Sequence, residues 1–229
     1  MTTLSSILQG LSVWALPLLF AITFHEAAHG YVAWRLGDDT AKVRGRVTFN
    51  PLRHIDPFGT VILPAMLLIV GSPFLFGYAK PVPVDFRRLR NPRQDMVWVA
   101  AAGPAINICL AVVSAFLVHL VPLFPEFAGQ WLEHNLANSI LINLVLAVFN
   151  MFPLPPLDGG RVAVGVLPRQ LAMPLARLER HGMLILIGLL FVLPWIGQKI
   201  GVNVNIFTWF VLPPVNYLFD LIILITGLQ

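Results

Sequence analysis

The sequence is short of charge. Only 11% of its 229 residues are Asp, Glu, Lys or Arg, against about 25% in an ordinary soluble domain. That is too little to coat a globule of this size in water, so a soluble fold is excluded. Disorder is excluded as well, because it goes with low hydrophobicity, whereas 57% of these residues are hydrophobic and the mean hydropathy is +0.79. Cysteine is nearly absent: Cys109 stands alone in an apolar run, so no intrachain disulfide can form. No Lys or Arg precedes Arg35, which argues against the basic n-region of a cleaved signal peptide, and the first apolar stretch reads as a retained span. Nor is there a basic run suited to nucleic acid. The net charge of +4 is dispersed over loops, as expected of contacts with anionic lipid. What remains is a multi-pass protein of a lipid bilayer.

Charge-poor windows set its organisation. Met1 to Phe24 is uncharged and its apolar pattern runs on through Trp34; then come Phe58–Ala79, Met96–Pro125, Asn135–Leu157, Gly182–Gln198 and Gly201–Phe219. A helix crosses a hydrocarbon core in about 20 residues, and most of these windows suffice. No repeat and no long soluble segment interrupts them, so residues 1–229 read as a single membrane domain.

The basic residues then orient it. Arg35, Lys42, Arg44, Arg46 and Arg53 follow the first span, Lys80, Arg87, Arg88, Arg90 and Arg93 precede Met96, and Arg161, Arg169, Arg177 and Arg180 follow the fourth window. If Phe58–Ala79 dips in and returns, fourteen of the 15 basic residues face the cytoplasm and only Lys199 faces out, as the positive-inside rule prefers. Gly59, Pro64, Gly71, Pro73 and Gly77 suit that segment to a re-entrant path better than to a continuous helix. The N-terminus is then expected outside and the C-terminus inside. From Lys42 to Phe49, Val43, Val47 and Phe49 alternate with polar residues and predict a short strand, able to pair with an unwound substrate. The expected fold is all-α: about five transmembrane helices, a re-entrant element, and a short β segment after the first helix.

Chemistry begins at His25-Glu26-Ala27-Ala28-His29. At about 100° per residue the three ionisable side chains share one helix face, with the imidazoles about 6 Å apart along the axis. Two histidines so spaced can hold one zinc ion, and Glu26 points toward its open position, placed to serve as general base and then acid. Such side chains are costly in lipid unless ligated or paired. A competing reading of the same cluster is a proton- or metal-conducting transporter. Catalytic zinc normally has three protein ligands, and Asp158 supplies a third at the inner end of an apolar span. Pro153, Pro155 and Pro156 break that helix, while Gly159 and Gly160 free the backbone to turn. Alone, Asp158-Gly159-Gly160 would read more readily as a helix-closing turn, and the neighbouring HExxH reverses that preference.

Together these residues resemble the site-2 protease family of intramembrane zinc metalloproteases, peptidase family M50. The resemblance rests on His25-Glu26-Ala27-Ala28-His29 and Asn150-Met151-Phe152-Pro153-Leu154-Pro155-Pro156-Leu157-Asp158-Gly159. Ala102-Gly103-Pro104-Ala105-Ile106-Asn107 adds support, and Asn50–Pro57 and Gly77–Pro83 resemble the small bacterial and archaeal branch. It covers residues from about 5 to 170, the expected core, with C-terminal helices over about 171–229. It implies zinc ligands His25, His29 and Asp158, Glu26 as the catalytic residue, a cytosol-facing site, and membrane-spanning proteins as substrates. It also leaves open a relative that binds substrates without cutting them. Asn150 and Asn107 are candidates for contacting the substrate or stabilising the oxyanion, with helix–helix packing as the alternative for each. His54 reads as a solvated or turn-capping residue, and His119, His134 and His181 as interfacial ones.

Overall fold

The computed structural model of the chain describes residues 4–63, 66 and 79–228. Lipid offers no partner to backbone N–H and C=O groups, so charge-poor runs must satisfy them within helices. Among the described residues, five helices are long and apolar enough to cross a membrane. Helix α1, Leu4–Arg35, carries the HExxH sequence in its last third and places Arg35 in its final turn, where a cation suits the helix dipole. Gly37, at φ +118°, takes the chain out of the helix in a conformation that a side chain would strain. Beyond it, Asp38 is fully buried. One of its oxygens accepts the Thr40 N–H at 3.0 Å and the other the Asp85 N–H at 2.7 Å.

Helix α2, Thr40–Val43, follows, where a strand is expected from the alternation over Lys42–Phe49. No strand occurs among the described residues. After α2 the chain turns at Gly45, φ +61°. Arg46 is only 9% exposed and donates to the carbonyls of Arg53 and Lys80. The alternation therefore marks a side-chain clamp, not an edge of sheet. The re-entrant element expected over Phe58–Ala79 lies mostly outside the described residues. Its start is a π-helical turn, Pro57–Ile62, capped by Asp56, and just past its end the Lys80 N–H donates to His54 O at 2.9 Å.

Helix α3, Pro92–Val118, begins with a proline that needs no N–H partner, and Asp95 reaches back to accept the Asn91 N–H at 2.8 Å. Helix α4, Glu126–Asn150, returns antiparallel to α3, and α1 packs against both. Pro153, Pro155 and Pro156 stop α4. Two shorter helices follow, α5 over Asp158–Val166 and α6 over Arg169–Leu178. The glycines at the head of α5 serve close approach, not the turning expected of them: neither has positive φ. A Cβ on Gly159 would stand 2.1 Å from Met151 O, and one on Gly160 2.2 Å from Pro155 N.

The last two long helices are α7, Gly182–Lys199, and α8, Phe207–Thr226. The Phe207 ring lies 6.4 Å from that of Phe149 near the end of α4. At the other extreme, His119, just past α3, donates its Nε2–H to Thr226 O at 2.8 Å. So α8 starts at the HExxH end of the bundle and finishes at the opposite end, which reverses the direction expected from charge counting. Helix α7 precedes α8. It begins at the HExxH end, where a Cβ on Gly182 would meet Pro155 O at 2.0 Å. After its last turn the chain doubles back, with the Val202 N–H donating to Gly197 O at 2.9 Å. Val204 packs beside Gly197, and the three steps from there to Phe207 span at most about 11 Å.

Candidate active site

His25 and His29 project from α1 toward α3, one turn apart, and their rings meet edge to face with centroids 4.6 Å apart. Each ring is held through Nδ1. His29 Nδ1 lies 2.7 Å from Val99 O, an acceptor only, so that nitrogen carries a proton. His25 Nδ1 lies 2.6 Å from Asn107 Oδ1. The amide orientation of Asn107 follows from its other partners, because Nδ2 donates to Ala21 O at 3.2 Å and to Asn143 Oδ1 at 2.7 Å. Asn143 is fixed in turn by donating Nδ2 to Ser139 O at 2.8 Å. Both imidazoles, when neutral, thus present bare Nε2 lone pairs on one side.

Those lone pairs converge. The two Nε2 atoms are 3.0 Å apart, and Asp158 Oδ2 lies 3.1 Å from that of His25 and 3.3 Å from that of His29. Asp158 is 6% exposed, and Oδ2 has no hydrogen-bond partner. Three electron-pair donors facing one another out of water repel unless a cation sits among them. Ligand atoms on a tetrahedral zinc at about 2.0–2.1 Å stand about 3.4 Å apart, close to the three separations found here. The outer partners of His25 and His29 are those that orient metal-bound histidines. The residues present therefore fit zinc.

Gly103 makes room for the cluster. A Cβ there would lie 2.5 Å from His25 Cε1 and His29 Nε2. Pro104, the next residue, has no N–H to give Ala100 O, so α3 is loosened beside the rings. Glu26, between the histidines, turns to the loop before α3 and accepts the Val82 N–H on Oε2 at 2.7 Å.

The cluster thus unites His25, His29 and Asp158, with Glu26 on the adjoining face of α1. Asn107 is 0% exposed and spends its amide on His25, Ala21 and Asn143, which leaves it no donor for a substrate. Asn150 donates to Leu146 O of its own helix at 2.9 Å and touches none of the three. His54, read as a solvated or turn-capping residue, is 2% exposed, with Nε2 on Thr48 O at 2.9 Å, and it caps the turn Pro51–Arg53. Sequence reasoning missed Gly103, Asn143 and Val82 as site residues. A Gly-Pro step and a second in-helix asparagine were the available signals for the first two; a backbone N–H leaves none.

Comparisons with known proteins agree with this chemistry. The family description "Peptidase family M50" matches residues 126–194, the stretch that includes Asp158. The chain is 39% identical over 183 residues to YwhC of Bacillus subtilis, covering 78% of this chain and 80% of that one. It is 30% identical over 172 residues to Rip2 of Mycolicibacterium smegmatis, covering 75% and 64%. Against Rip2 of Mycobacterium tuberculosis it is 32% identical over 141 residues, covering 62% and 52%. All three are named as candidate zinc metalloproteases, and the chain spans less than two thirds of either Rip2. No solved structure matches. With the extent of its likeness to YwhC, the chain belongs to peptidase family M50, the site-2 proteases, and is a membrane zinc metalloendopeptidase.

Proposed function

We propose that this enzyme hydrolyses peptide bonds within or next to transmembrane segments of partner proteins, with His25, His29 and Asp158 as its zinc ligands and Glu26 as its general base and acid. The observation that carries the reading is the convergence of two bare Nε2 atoms and an unpartnered carboxylate oxygen beside the last third of α1. Zinc bound there would polarise the scissile carbonyl and acidify a water molecule. The protein's own groups do the rest. Val99 O and Asn107 Oδ1 hold the two rings in one tautomer. Glu26, with Oε2 tied to Val82, takes the proton of the attacking water and returns it to the leaving nitrogen as the C–N bond breaks. Asn150 keeps a proposed role as a substrate contact at the mouth of the site.

The site is proposed to face the cytoplasm. Fourteen of the 15 Lys and Arg, all but Lys199, lie in the segments that end or follow α1, precede or begin α3 and follow α4, toward the HExxH end, which supports that orientation. The start of α1 and the end of α8 would then both lie outside. Substrate helices must unwind to expose a peptide bond, and the polar connections at the HExxH end offer water a route.

The test is zinc-dependent cleavage of co-expressed single-pass proteins. Glu26→Gln is expected to keep zinc and lose cleavage by about 10²–10⁴-fold or more, whereas Asp158→Ala loses both zinc and cleavage. Normal turnover by Glu26→Gln overturns the role given to Glu26, and full zinc retention by Asp158→Ala removes it from the ligand set.

A further inference from the structure

Arg46 is a buried cation with no carboxylate beside it among the described residues. Its guanidinium contacts three backbone carbonyls from two segments: Nη1 donates to Arg53 O, and Nη2 to Lys80 O at 2.5 Å and, more weakly, to Pro81 O at 3.5 Å. Burying a charge this way is costly unless its hydrogen bonds are good and its position matters. The segment it holds is Lys80-Pro81-Val82-Pro83. Lys80 and Val82 both precede prolines and are driven to extended backbone. Among residues 81–83 only Val82 has an N–H, and that N–H is the one bound to Glu26 Oε2. The carbonyl of Pro81 and the N–H of Val82 are two ends of one planar peptide group. Arg46 therefore sits at one end of that peptide and Glu26 at the other.

We propose that Arg46 is a positioning residue for Glu26: it fixes the Lys80–Val82 backbone so that the Val82 N–H holds the carboxylate where proton transfer needs it. The guanidinium also polarises the peptide, which strengthens the N–H as a donor. The alkyl part of Val82 locks the same loop onto α1, since its Cγ1 lies where it would be 3.0 Å from a Cβ on Gly30. Arg is suited to the task because its fork reaches several carbonyls at once, whereas a lysine ammonium is a single point. The proposal rests on Glu26 acting as the general base.

The test compares Arg46→Met, Arg46→Lys and Glu26→Asp with wild type, measuring kcat, KM and bound zinc on a single-pass substrate. Arg46→Met is expected to lower kcat about 10- to 100-fold, with KM and zinc content within about twofold; Arg46→Lys falls between. In the Glu26→Asp background, where the shortened carboxylate no longer reaches Val82, adding Arg46→Met is expected to cost little more. A purely structural role would instead multiply the two losses. Unchanged kcat in Arg46→Met, or multiplicative losses in the double variant, overturns the positioning role. If Arg46→Met does not fold or loses zinc, the same cycle built on Arg46→Lys decides. Full activity of Glu26→Gln would instead sink the underlying assignment, so the two failures are distinguishable.

Discussion

Helices α3 and α4 meet their neighbours through two seams of opposite character. On the side facing α1, a line of buried and half-buried polar groups descends from the His25–His29–Asp158 cluster: His25 to Asn107, Asn107 to Asn143, Asn143 to Ser139, and Ser139 Oγ to Ser114 Oγ at 2.8 Å. On the side facing α8, the contact is made of Ala111, Ala115, Ile140, Leu144, Val211, Val215 and Ile222, all apolar and buried. In lipid the apolar seam has little hydrophobic driving force, because acyl chains are as apolar as leucine. It gains packing alone and can slide with modest loss. The polar seam tolerates one register only, since a slip of a single residue would leave amides unpaired. The site is built on the seam that cannot slip.

The comparison is tested most severely at the top of the polar seam. Gly103→Ala adds a single methyl group, yet its Cβ would stand 2.5–2.6 Å from both imidazoles. The rings must withdraw by about an ångström, a displacement that can cost about 10²-fold in rate. Loss of zinc and of cleavage by at least that factor is expected, read by metal analysis and substrate cleavage. Zinc content equal to wild type would mean that the cluster is not held against α3 as described.

Next in size is Asn107→Ala. It removes the acceptor that fixes the His25 tautomer and leaves Asn143 without its donor. Loss of an outer-shell partner typically costs about 10- to 100-fold in metal affinity or activity. Competition with a zinc chelator is expected to show that loss. Affinity unchanged within about threefold would show that the polar seam ends short of the metal.

Legibility in the sequence followed the range of the interaction. The spacing of His25, Glu26 and His29 is local, so helix period alone puts them on one face. Asp158 was legible because prolines and glycines around it break a helix, although their role proved to be close packing against Met151 and Pro155. Gly103 and Asn143 act across tens of residues, and nothing in their own neighbourhoods names their partners. The direction of α8 was invisible for a different reason. An apolar helix carries no polarity, and the short charge-poor link after Lys199 does not say which end it returns to. In the sequence Arg46 reads as one more loop cation, and only its carbonyl partners reveal a clamp.

The smallest effect is expected on the apolar seam. Val215 is buried between α8 and the α3–α4 pair, and Val215→Ala deletes two methyl groups from a contact with no hydrogen bond in it. The loss should be about 1 kcal/mol of stability, seen as a slightly lower melting temperature in detergent. Zinc affinity, kcat and KM should stay within about twofold, because α8 can settle against Ala111 and Leu144 without moving Asn107 or Asn143. The useful contrast is with Asn107→Ala: one change lies on α8 against the α3–α4 pair and the other on α3 within it, and each removes a few atoms from the packing of that pair. If Val215→Ala weakened zinc binding as much as Asn107→Ala, the two seams would be mechanically one, and register would be set by overall packing instead of by the polar chain.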